Sequence, residues 1–316
     1  MEPPSAWNCL WLKPGPVKCA IVFGQMGNLE KSKSEPAPTP TLALVPARTT
    51  WRHIAIYYAI ACGSSWAIWA PVVLGKDGLR LLNIAPFKPV VTSLGTLGPL
   101  LACYLTHRMA TGNWRAVRLL PPRRLGWIWL LLGPLLVFSC LFVVLPIMIS
   151  LAPPQSWLRH INVLQKIPVL MFNYNLLSGP LSEEFGWRGF LQPRAQEVLP
   201  PWAAAVCVGI MWAGWHLPLF FVQGWISISR TSYLLMLIGL SVIMASGFNA
   251  SGKAVAVAVL MHSAFNASMQ LVVAYLGDIP MRTYPKGEWY LAGAFLLPAS
   301  ILVMITRGHL AARRTQ

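Results

Sequence analysis

A chain of 316 residues that is 56% hydrophobic and only 11% charged is too apolar and too poor in charge for a soluble domain of its length. Its net charge of +16 does not point to nucleic acid, because the basic residues fall between apolar runs and not along one amphipathic face with interleaved aromatics. The composition is that of an all-α polytopic membrane protein whose first partner is the lipid bilayer.

Residues 1–50 are rich in Pro, Ser, Lys and Glu, most clearly from Glu30 to Pro40, and offer no periodic apolar face, so they read as a disordered cytosolic tail. The short apolar patch Ala20 to Phe23 is smaller than the hydrophobic region of a signal peptide, and Met26 is an alternative start. Apolar segments of about 20 residues, enough to span a bilayer, then follow at 53–75, 87–106, 126–152, 167–192, 201–228, 231–249, 254–276 and 289–306. Eight transmembrane helices are therefore expected within a membrane domain at 51–310, followed by a short basic tail at 311–316. Placing both termini in the cytosol puts roughly two thirds of the Lys and Arg residues on that side, as the positive-inside rule prefers. Tryptophans such as Trp51, Trp127, Trp202 and Trp289 stand near span ends as an aromatic belt would place them. The six cysteines are dispersed and read as small core residues, without the spacing of disulfides or metal ligands.

The fourth segment carries Glu183 and Glu184, adjacent carboxylates in a chain with nine acidic residues in all. Ionisable groups at bilayer depth cost several kcal/mol and mark a relay, a pathway or a catalytic centre. Glu184 and Arg188 are one helical turn apart and share a face, whereas Glu183 is rotated by about 100° from Glu184. One carboxylate is thus neutralised while its neighbour stays free to act as a general base. The alternative is a solvated helix end. His216 argues against it: it lies nearly as far after the Leu199–Pro200 turn as Glu183 lies before it, so an antiparallel hairpin brings the two to one level, about 24 Å from the turn. On the seventh segment His262 and Asn266 are again one turn apart, an imidazole and a carboxamide able to donate to developing negative charge. The catalytic cavity is expected among helices four, five and seven. There is no HExxH, yet Glu183, His216 and His262 also form a His₂Glu donor set that suits zinc, so a divalent metal and a metal-free site both stand.

The motifs Glu183-Glu184-Phe185-Gly186-Trp187-Arg188, Trp212 to His216 and His262 to Asn266 resemble, in order, the EExxxR, aromatic-xxx-His and HxxxN hallmarks of the CPBP family of membrane-embedded proteases. That family includes the CAAX prenyl endopeptidase of the Ras-converting type and bacterial immunity-related relatives. The resemblance covers about 165–276. It implies a membrane endopeptidase in which Glu183 and His216 activate water, His262 and Asn266 stabilise the oxyanion, and Glu184 with Arg188 holds the site together. The implied substrate is a membrane-associated protein or peptide, with CAAX-type processing as one form. The family commonly has phenylalanine where this chain has Trp212, which implies an altered cavity wall. Two rivals from other classes are a proton-coupled transporter that uses the same acids and histidines as a relay, and a catalytically silent membrane immunity or scaffold protein. The absence of an internal repeat counts against the first; the full set of catalytic side chains counts against the second.

Overall fold

The computed structural model of the protein describes residues 47–111, 117–151, 171, 179–226, 228–276 and 286–312. The expected N-terminal tail up to residue 46, most of the fourth segment before Gly179 and the end of the basic tail, 313–316, lie outside these residues. Among the described residues every regular element is helical, in keeping with the all-α expectation. α1 (Ala47–Leu74) begins slightly inside the range expected for the tail and is followed by α2 (Lys88–Gly95) and α3 (Gly98–Thr111). The short α4 (Arg124–Trp127) leads into α5 (Trp129–Leu151). α6 (Pro180–Gly186) passes through a π turn (Trp187–Leu191) into α7 (Gln192–Ala195). α8 (Pro201–Trp215), a 3₁₀ turn (Leu217–Phe221), α9 (Arg230–Ala250), α10 (Val255–Leu276) and α11 (Gly287–Ile305) complete the order.

Among the described residues, six helical stretches are long and apolar enough to cross a bilayer: Thr50–Leu74, Lys88–Ala110, Arg124–Leu141, Arg230–Ala250, Val255–Val272 and Gly287–Ile305. They correspond to six of the eight expected segments, and the protein is an integral membrane protein. The fifth segment departs from expectation. Its helix stops at Trp215 after 15 residues, about 23 Å, instead of running on to residue 228. The cause is Pro218, which lacks a backbone N–H and disfavours helical geometry in the residue before it. In the described part of the fourth segment a helix starts at Pro180, with Pro in its first turn, so Glu183 stands near a helix start.

α9 is the central helix. Of its span, 78% is buried, against 28% for α11, whose Leu297, Ile301 and Ile305 are exposed on the outer, lipid-facing side. α9 packs against α8 and α11, α5 against α10, and α1 against α3. Burying apolar side chains does not drive helices together in lipid, so close backbone approach and hydrogen bonding have to hold them. Gly239 supplies such an approach: a Cβ there would come within 2.6 Å of the Phe295 carbonyl carbon on α11. Gly209 does the same for α8 against α9, where a Cβ would lie 2.8 Å from the Ile238 Cα. Gly239→Val is expected to force α9 and α11 apart at a cost of about 1–3 kcal/mol. A thermal unfolding midpoint in detergent equal to wild type would refute that packing role.

The interruption between α2 and α3 is what anchors the site. Breaking a helix inside a membrane frees carbonyls that no water can satisfy, so neighbouring side chains must donate to them. Ser65 Oγ on α1 donates to the Gly95 carbonyl at 2.7 Å, and Trp69 Nε1 donates to that of Thr92 at 3.0 Å. Ser182 Oγ, at the start of α6, donates to the Thr96 carbonyl at 2.9 Å. α6 is thereby pinned to the break through the residue that precedes Glu183. Cys62, Cys103 and Cys140 are buried and free, as expected of core cysteines.

Candidate active site

The site is built where the start of α6, the end of α8 and the middle of α10 meet. Glu183 lies in the first turn of α6, where the helix N-terminus favours negative charge. Its neighbour Glu184 points to another partner set. Arg188 Nη1 lies 3.0 Å and 2.9 Å from the two Glu184 oxygens, the one-turn pair that the spacing predicted. Neither residue has any exposed surface. Arg188 Nη2 reaches the Ser241 hydroxyl on α9 at 3.3 Å, and Ser241 in turn donates to the Ala205 carbonyl on α8 at 2.8 Å. The ion pair therefore ties α6 and the π turn to the central helix. Trp187 and Phe190 of that turn pack on Tyr57 of α1, at ring separations of 5.7 Å and 5.2 Å. A π turn is an uncommon local winding that recurs at functional sites.

His262 joins this pair from α10. Its Nδ1 lies 2.9 Å from Glu184 Oε1, so the ring donates from Nδ1 and presents Nε2 on its other side. With a proton on each ring nitrogen, the imidazolium can donate from Nε2 to an oxyanion while Nδ1 stays on Glu184. Asn266 stands one turn further along α10 and is partly buried.

Glu183 is not left without a partner, contrary to the free carboxylate expected. Its Oε2 accepts from the indole Nε1 of Trp212 at 2.8 Å, and both side chains are buried. Sequence reasoning treated Trp212 as a wall, and the only available signal was the indole N–H itself, which a phenylalanine lacks. Ser241 was missed altogether, since it lies in an ordinary apolar helix with no motif around it.

His216 sits at the C-terminal end of α8. Its Nδ1 lies 3.0 Å from the Trp212 carbonyl. A carbonyl only accepts, so Nδ1 carries the proton and the neutral ring keeps its Nε2 lone pair for a proton in transit. Trp215, Trp225 and Tyr233 surround the imidazole at ring separations of 4.5, 5.4 and 5.7 Å. Trp212 joins Glu183 to His216, with its indole on one and its carbonyl on the other.

This set of a buried Arg-paired carboxylate, a second carboxylate and two histidines on three helices coincides with a family. Residues 165–268 match the model of the family Type II CAAX prenyl endopeptidase Rce1-like. The match contains Glu183, Glu184, Arg188, His216, His262 and Asn266, and it agrees with the resemblance to the CPBP membrane proteases. It is a family of proteases. No curated protein matches the chain.

Among the described residues no three His, Cys, Asp or Glu side chains gather closely enough to hold an ion. Glu184 is committed to Arg188 and His262, and Glu183 Oε2 to Trp212, which leaves Glu183 Oε1 and the Nε2 atoms of His216 and His262 as the remaining donor atoms of the expected His₂Glu set.

Proposed function

We propose that the protein is an intramembrane endopeptidase that hydrolyses peptide bonds in membrane-associated proteins or peptides, with CAAX-type substrates as the class implied by the family. The observation that carries this reading is the cluster around Trp212, which touches Glu183, Arg188, His216 and His262, with Glu184 buried between Arg188 and His262. A solvated helix end would have left them apart and exposed.

In this mechanism Glu183 takes a proton from a water molecule as the water oxygen bonds to the scissile carbonyl carbon. His216, with Nδ1 held by the Trp212 carbonyl, offers Nε2 to the same water and relays the proton. The carbonyl oxygen gains negative charge and is received by His262 and Asn266. Glu184, paired with Arg188, orients His262 through its Nδ1. The C–N bond then breaks, the proton passes to the leaving amine, and a carboxylate and a free amine result. No covalent enzyme intermediate is formed. Both termini face the cytosol in this reading, on the strength of the positive-inside distribution.

Purified protein in detergent or nanodiscs is expected to cleave a farnesylated CAAX peptide at its CAAX end, with the rate unchanged by a strong chelator. Absence of cleavage of this peptide and of a mixed membrane-protein library would remove the peptidase assignment. Loss of activity in chelator, restored by zinc, would replace the metal-free mechanism.

A further inference from the structure

Trp212 touches four members of the cluster at once. Its indole N–H donates to Glu183 Oε2 at 2.8 Å, and its ring meets that of His262 edge-on at 4.8 Å. The Arg188 guanidinium lies over its face at 5.0 Å, and its carbonyl takes the Nδ1 proton of His216 at 3.0 Å. Three of these contacts need only an aromatic ring or a backbone carbonyl. The fourth needs an N–H.

From this we infer that Trp212 is a positioning residue for the proposed peptidase reaction, acting through Glu183. A carboxylate on a flexible side chain has two equivalent oxygens and can turn either toward a substrate. The indole N–H removes that freedom by holding Oε2 in a charge-assisted hydrogen bond, away from water. Oε1 is left as the oxygen that meets the attacking water. The backbone leaves room beside it: a Cβ at Gly179 would lie 3.1 Å from Glu183 Oε1, so a side chain there would crowd this oxygen. Productive geometry tolerates little error, since misplacement of a reacting group by about 1 Å costs on the order of a hundredfold in rate. The donor belongs to tryptophan alone among the apolar aromatics, because phenylalanine at the same place would keep the ring contacts with His262 and Arg188 and leave Oε2 unheld.

This inference rests on the peptidase reading, and its test has one arm that depends on that reading and one that does not. In the first arm, Trp212→Phe removes the donor and keeps the ring. It is expected to lower kcat by about tenfold to a hundredfold, the worth of a hydrogen bond to a charged group, while KM stays within about twofold and the protein stays folded with a lowered unfolding midpoint. A kcat equal to wild type, or a loss confined to KM, overturns the inference. In the second arm, the indole N–H proton of Trp212 is followed by NMR in the purified protein, assigned by its proximity to the His262 ring. Glu183→Gln is expected to shift this resonance and speed its exchange with solvent; a resonance unmoved by that change overturns the inference even if Trp212→Phe fails to fold. If the wild-type protein cleaves no peptide, the function falls, and the indole arm alone decides whether Trp212 holds Glu183.

Discussion

Glu183→Gln is expected to reduce peptide cleavage by about a thousandfold or more while leaving the protein folded. A positioned general base contributes on the order of a hundredfold to ten-thousandfold, and glutamine cannot accept the proton that the attacking water must lose. The change is nearly isosteric, and the amide oxygen can still accept from Trp212 Nε1, which lies 2.8 Å from the carboxylate in the native site. The two measurements that decide are kcat on a cleaved peptide and the unfolding midpoint in detergent. Retention of full proteolysis by a folded Glu183→Gln protein would remove Glu183 as the base and shift attention to His216. Loss of folding together with loss of activity would instead make Glu183 a structural residue.

Arg188→Ala is expected to have the largest effect on stability. Arg188 and Glu184 are both fully buried and lie 2.9 Å apart, and Arg188 also bonds Ser241 on the central helix. Removing one partner of a buried pair leaves an uncompensated charge and costs about 3–5 kcal/mol. His262 would lose its orientation as well, since the carboxylate that fixes its Nδ1 would no longer be held by Arg188. Arg124→Ala, at the exposed start of α4, serves as the control and should leave the unfolding midpoint unchanged. Equal effects of the two substitutions on unfolding and on cleavage would argue that the Glu184–Arg188 pair organises nothing.

The proposed chemistry and these two expectations share one physical feature: charged groups far from water, each held by a named partner. A transporter relay built from the same residues would need its carboxylates to exchange protons with changing partners. Here Glu184 is held by Arg188 and His262 together, which favours a fixed site over a relay. The position of Ser182 adds to this, because its bond to the Thr96 carbonyl ties the start of α6 to the interrupted helix beside it.

What was readable without coordinates follows from periodicity along one helix. Residues four apart share a face whatever surrounds them, so the pairing of Glu184 with Arg188 and the common face of His262 and Asn266 could be drawn from spacing alone. Long apolar runs likewise mark membrane helices because every backbone polar group must be satisfied within the segment. Nearly equal distances on either side of a turn led to the expectation of Glu183 and His216 at one level, and the structure links the two through Trp212. Three things depended on tertiary structure. The stop of α8 at Trp215 and the fresh start at Pro180 arise from prolines, whose sequence positions were visible but whose effect on depth was not. Ser241 meets Arg188 across 53 residues, from the central helix to the π turn, in a contact that no spacing along the chain announces. The partner of Glu183 is a tryptophan 29 residues away whose N–H reaches it across the interface between two helices. Rotation and tilt of one helix against another are set by packing over the whole bundle, and no local spacing encodes them.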